Sequence, residues 1–128
     1  MILTLPGLKY VFGDNDHTGW HKENGLTYYY LSNGKKATGL VNIKMDSYYF
    51  MKKDHKVLKK GAMVYGWKNI GKYYYFFNRQ SGAMVKGEYI DGVYLRDNGK
   101  AKLKSGDKKI IDQFINARKE TQKKNYES

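Results

Sequence analysis

Gly66-Trp67-Lys68-Asn69-Ile70-Gly71-Lys72-Tyr73-Tyr74-Tyr75-Phe76 sets the pattern of the chain. It predicts a β-hairpin. A short strand opens at Gly66, turns at Asn69-Ile70-Gly71 and returns through an aromatic run. Aromatic residues favour strands, and glycine punctuates them. Side chains alternate faces along a strand, so Tyr73 and Tyr75 share one face and Tyr74 and Phe76 the other. A strand aromatic on both faces cannot be satisfied within one hairpin and needs neighbours.

Those neighbours are copies of the same unit. Gly19-Trp20 through Leu31 repeats the pattern with a longer turn. Gly39-Leu40 through Phe50 repeats it with Leu in place of Trp, and Gly87-Glu88 through Leu95 is a shorter, weaker copy. Each aromatic run is followed by a second signature, a glycine turn, at Ser32-Asn33-Gly34, Gly61-Ala62-Met63, Ser81-Gly82-Ala83-Met84 and Asp97-Asn98-Gly99. A period near 20 residues points to a repeat array, in which each unit buries its face against the next. The predicted units lie near 7–18, 19–38, 39–65, 66–86 and 87–105. The leading one is degenerate, with Tyr10-Val11-Phe12 as its second strand. From Gly106 onward the pattern changes. Asp107 suits an N-cap, and Ile110, Ile111, Phe114 and Ile115 recur at helical spacing, predicting a helix from about Asp107 to about Lys123. It would cap the last repeat or, alternatively, bind a partner protein or a second copy. Residues 106–128 thus form a helix and tail.

The bulk numbers agree with a thin array. The chain has 128 residues, with 13 Tyr, 14 Gly and one Pro, which suits one mainly β domain. Cysteine is absent, which excludes disulfides and thiolate zinc sites. The formal charge is +12, and it favours an anionic partner: a phosphate-bearing wall polymer, an acidic membrane or nucleic acid. Its densest part is the longest insertion, where Lys52, Lys53, Lys56, Lys59 and Lys60 surround Asp54 and His55. No apolar run approaches the roughly 20 residues of a membrane span. Met1–Pro6 lacks the basic start of a signal peptide.

A search for chemistry finds no His-Glu-x-x-His pattern, nucleophile elbow or phosphate-cradling glycine loop. The carboxylates fall on predicted turns, the ordinary role of Asp. Asp14 and Asp16 suggest a calcium loop, but the sixth-position glycine and distant glutamate of that motif do not fit. The chain therefore reads as non-catalytic, without cofactor or metal. The positive signal is aromatic density. Aromatic faces stack on sugars and attract quaternary ammonium groups by cation–π interaction. The candidate ligand-binding residues are Trp20, Tyr28, Tyr30, Trp67, Tyr73 and Tyr75, with Met63 and Met84 as adaptable walls. The bland alternative is that these rings only staple adjacent hairpins. A basic groove with stacking rings would also suit single-stranded nucleic acid, although the RNA-recognition signature is missing.

The Gly19-Trp20 and Gly66-Trp67 units and the Gly-Ala-Met turns at 61–63 and 82–84 resemble the cell-wall-binding repeats of Gram-positive surface proteins and phage lysins. That superfamily includes choline-binding modules, glucan-binding repeats and the carbohydrate-binding repeats of clostridial toxins. The resemblance covers roughly residues 7–105. It implies a β-solenoid of stacked hairpins on an extracellular or cell-surface protein, with ligand sites between consecutive repeats. The ligand would be a wall polysaccharide, a teichoic acid or choline. It also implies an aromatic box for choline. The Trp after the leading glycine matches at Trp20 and Trp67, but is Leu40 and Glu88 elsewhere. The Trp opening the aromatic run is matched to Tyr28, Ser47 and Tyr73. Met63 and Met84 keep the methionine, and Ala37 is matched to it in the first unit.

Overall fold

The computed structural model describes residues 17–56 and 58–127. The leading unit expected near 7–18 lies almost entirely outside the described residues.

Three hairpins of five-residue strands follow one another: β1 (Gly19–Glu23) with β2 (Leu26–Tyr30), β3 (Gly39–Ile43) with β4 (Asp46–Phe50), and β5 (Gly66–Ile70) with β6 (Tyr73–Phe77). A fourth, shorter hairpin of β7 (Glu88–Ile90) and β8 (Val93–Leu95) is extended by β9 (Ala101–Lys102). The chain ends in α1 (Asp107–Glu127). The fold is mainly β, built of hairpin pairs with one C-terminal helix. The turns are tighter than expected. Ile70 still pairs with Tyr73, so the third turn is Gly71-Lys72 rather than Asn69-Ile70-Gly71. The turns Asn24-Gly25 and Asp91-Gly92 place both residues at positive φ. This backbone matches the right-handed twist of hairpin strands and suits Asn-Gly and Asp-Gly.

Successive units share one register. Gly19 faces Tyr30, Gly39 faces Phe50 and Gly66 faces Phe77. After each hairpin the chain turns back to form a single bridge: Tyr30 with Lys36, Phe50 with Met63, Phe77 with Met84. The same segments tie one unit to the previous one. The Met63 N–H donates to the Thr27 carbonyl and the Met84 N–H to the Ser47 carbonyl, each at 2.8 Å. Consecutive units are thereby linked through backbone as well as side chains.

The aromatic strand β6 uses both faces, as its alternation requires. Tyr75 and Phe77 pack with Tyr28, Tyr49, Val64 and Met84, while Tyr74 and Phe76 pack with Trp67, Val93, Leu95 and Ile111. A third cluster joins Ala37, Phe50 and Met63. The basic insertion folds back on itself. The Lys60 N–H donates to Asp54 (2.9 Å), and Leu58 is buried as its anchor, leaving Lys52, Lys53, Lys56, Lys59 and Lys60 exposed.

The helix departs from its expectation in three respects. It runs to Glu127 rather than to about Lys123. The Asp107 carboxylate accepts the Lys104 N–H (2.7 Å), so it stabilises the turn entering the helix. The helix also reaches past the last unit. Ile111 packs on Trp67, Tyr74 and Phe76 of the third hairpin, the Tyr74 hydroxyl donates to Asp112 (2.9 Å), and Arg118 donates to the carbonyls of Tyr65 and Trp67. Burial lowers the Arg118 pKa, with Arg79 adding repulsion. Ile110 and Phe114 remain exposed. No helix among the described residues is long and apolar enough to cross a membrane.

Candidate functional site

Trp20 and Trp67 open their strands from the same register position, yet they meet different surroundings. Trp67 is 1% exposed; its indole N–H donates to Asp91 (2.9 Å) and its ring meets Phe76 edge-on at 5.2 Å. Trp20 is 43% exposed. What covers Trp67 is the last unit and α1. Over Trp20 lies the second hairpin, which leaves a groove.

That groove has a volume of 410 Å³. Trp20 and Tyr48 form its aromatic corner, with ring centroids 4.9 Å apart and planes at 71°. Tyr29 holds Trp20 from the other side, edge-on at 5.0 Å. Met63 lines the wall, brought there by the turn after the second hairpin. Thr27 and Tyr65 close one end, their hydroxyls 3.2 Å apart, and Gln80 and Ser81 supply a polar rim. Burial, with a smaller effect from Asp46, raises the Tyr48 pKa, so its ring stays neutral at physiological pH. Two near-perpendicular ring faces and a thioether suit a soft cation or the apolar face of a sugar.

The remaining candidates are dispersed. Tyr28 is buried beneath Lys36, whose Nζ lies 3.9 Å from its ring centroid. Tyr30 is half-buried and donates to Glu23 at 2.6 Å. This bond, chiefly, pushes its pKa up to about 12 and lowers that of Glu23. Tyr73 is exposed on one side and carries Lys100 Nζ at 3.9 Å. Tyr75 and Met84, expected at ligand sites, sit in the core with Phe77, and Trp67 is buried as described. Of the eight candidate ligand contacts, the groove gathers only Trp20 and Met63. Lys59 and Lys60 border a second cavity of 740 Å³ beside Lys35, Lys36 and Tyr28.

Tyr48, Thr27 and Tyr65 were not among the candidates. Tyr48 was legible in principle, because Tyr28, Tyr48 and Tyr75 pair with His21, Val41 and Lys68 at one register position. The register also corrects two matches. Thr27, Ser47 and Tyr74 are equivalent, so the position opening the aromatic run is Thr27 and Tyr74 rather than Tyr28 and Tyr73. The bridges make Lys36, not Ala37, the equivalent of Met63 and Met84.

Residues 18–36, which build the first hairpin, match the family model described as "Putative cell wall binding repeat". No curated protein matches the sequence. Among solved structures, the choline binding domain of Spr1274 from Streptococcus pneumoniae is 33% identical with a TM-score of 0.58, over 67% of this chain and 95% of that domain. The chain belongs to the cell-wall-binding repeat family. Choline binding protein F from the same organism is 39% identical with a TM-score of 0.56, over 66% of this chain and 28% of that protein. CbpF in complex with ipratropium gives 27% identity and a TM-score of 0.59, over 67% of this chain and 25% of that one. This member of the repeat family therefore spans nearly all of the Spr1274 domain and about a quarter of choline binding protein F.

Proposed function

We propose that this chain is a non-catalytic wall-targeting module that binds a choline-bearing wall polymer in the Trp20–Tyr48–Met63 groove. The observation that carries the reading is that groove: two crossed aromatic rings between consecutive hairpins, with the exposed Trp20 at its mouth and the buried Met63 at its wall. A quaternary ammonium cannot donate hydrogen bonds, so ring faces and a thioether are adequate partners for it, worth ~0.5–2 kcal/mol per face. Lys22 at the groove edge stands near such a cation. It disfavours a bare cation and suits a ligand that carries an anionic group beside it, as a phosphate-linked choline does. The formal charge of +12 provides long-range attraction to the same polymer, with Lys52, Lys53, Lys56, Lys59 and Lys60 as its densest contributors.

On this reading the hairpins wind as a β-solenoid of units near 19–38, 39–65, 66–86 and 87–105, ended by the helix of residues 106–128. The protein acts at the cell surface or outside the cell, alone or as the targeting part of a larger enzyme. The choline binding domain of Spr1274 supports both inferences through its likeness over most of its length.

The test is calorimetry with choline chloride against matched sodium chloride, with co-sedimentation on choline-containing walls. Binding should vanish in Trp20→Ala and weaken about tenfold or more in Tyr48→Ala, while Trp67→Phe keeps it. Retention of full binding by a folded Trp20→Ala protein would remove the groove as the site.

A further inference from the structure

The first unit carries its own cation where the next units carry a methionine. Lys36, Met63 and Met84 are equivalent by two independent measures. Each makes the single bridge to the last residue of an aromatic strand: Tyr30, Phe50 and Phe77. Each also lies under the turn glycine of the following unit. A Cβ on Gly61 would meet Lys36 Cβ at 3.0 Å, one on Gly82 would meet Met63 Sδ at 2.5 Å, and one on Gly99 would collide with Met84 Sδ. The side chain at this position is thus held between a glycine and an aromatic strand.

In the first unit the side chain so held ends in an ammonium group. Its Nζ lies 3.9 Å from the centroid of the Tyr28 ring, 5.9 Å from that of Tyr30 and 3.7 Å from a Glu23 oxygen. Tyr28 occupies the same register position as Tyr48, which forms the aromatic corner of the open groove. An aromatic face, a carboxylate and an ammonium in van der Waals contact make a filled cation site. Contact between a lysine and a tyrosine ring recurs elsewhere. Lys100 covers Tyr73 at 3.9 Å, and Lys68 lies 5.3 Å from the Tyr49 ring centroid.

We propose that Lys36 is a built-in occupant of the first unit's aromatic cation site, which excludes an external quaternary ammonium from Tyr28 and directs it to the Trp20–Tyr48 groove. The proposal rests on the reading of these aromatic positions as ammonium sites. The physical reason is local concentration. A tethered ammonium is always present at an effective concentration of about millimolar, and its pairing with Glu23 favours it further over a free ligand at the same concentration. Exchange of Lys36 for the methionine of the other units removes the occupant and leaves the Glu23 carboxylate as an anionic partner for an incoming cation.

The experiment follows individual tyrosine and tryptophan ring signals by NMR while choline chloride is titrated against matched sodium chloride. It compares the parent chain, Lys36→Met and Lys36→Gln. The expected result is that Tyr28 is silent in the parent and shifts saturably in Lys36→Met, with a smaller response in Lys36→Gln. A Tyr28 response already present in the parent would overturn the proposal. So would silence of Tyr28 in both variants when their spectra show the parent hairpin register. The Trp20 and Tyr48 signals report separately on the groove: if they stay silent throughout, the wall-ligand reading fails, while a gained Tyr28 response still establishes Lys36 as the occupant.

Discussion

Exchange of each tryptophan for alanine separates a packing role from a binding role. Trp67 is 1% exposed among Tyr74, Phe76, Val93, Leu95 and Ile111. Removal of a buried aromatic ring in such a core costs about 3–5 kcal/mol, through lost transfer energy and the cavity left behind. The lost hydrogen bond to Asp91 adds little, because Asp91 is exposed and water replaces the indole. Trp20 is 43% exposed and meets Tyr29 and Tyr48 edge-on, so Trp20→Ala should cost only about 1–2 kcal/mol. A chain of this size is stabilised by roughly 5–15 kcal/mol, so Trp67→Ala consumes a large fraction and lowers Tm by on the order of 10–20 °C. Guanidinium unfolding followed by circular dichroism gives both values, and choline titration of the folded variants gives the binding effect. The expected pattern is crossed: Trp67→Ala loses stability and keeps ligand where it remains folded, whereas Trp20→Ala keeps most stability and loses ligand. A Trp67→Ala protein within about 1 kcal/mol of the parent would refute the burial argument, since no core aromatic deletion is that cheap.

Gly82→Ala should destabilise by about 1–2 kcal/mol, because Gly82 has φ +81° and its new Cβ would press on Met63 Sδ. Since Met63 lines the groove, calorimetry should also show weaker choline binding, and unchanged affinity would disconnect Met63 from the site. Arg118→Ala removes the donations to the Tyr65 and Trp67 carbonyls; hydrogen exchange should speed up in α1 and at Trp67 while the first two hairpins keep their protection. Uniform loss of protection would mean that the helix and the array unfold as one unit. Tyr30 should ionise near pH 12 by ultraviolet titration, and Glu23→Gln should return it toward 10. Because the folded-state value is raised, the associated stability is fully present below pH 10 and is lost as the pH climbs through about 12. Ionisation of Tyr30 near pH 10 in the parent would remove the Glu23 bond from solution. The lowered pKa of Glu23, due first to the same hydroxyl, works in the opposite range: its contribution is present above the usual carboxylate pKa and fades as the pH falls through the lowered one.

The strands, their alternation and the aromatic density of both faces of β6 were legible because they are local. Two-residue periodicity and turn residues act over a few positions, so Gly19-Trp20 through Leu31 and Gly66-Trp67 through Phe76 declare hairpins without reference to the rest of the chain. The helix was legible in kind from Ile110, Ile111, Phe114 and Ile115, but not in where it docks. Which tryptophan stays open could not be read, since Trp20 and Trp67 share the same local context and strand position. Their fates depend on what the chain brings over them. A second hairpin with Tyr48 leaves a groove above Trp20, whereas the shortened last unit and Ile111 of α1 bury Trp67. The placement of Lys36 over Tyr28 is likewise decided by the return bridge after the first hairpin, which settles one residue of register between Lys36 and Ala37. The repeating element is written in local sequence, whereas the packing of units sets which aromatic faces remain available, because exposure is a property of neighbouring units and not of the strand that carries the ring.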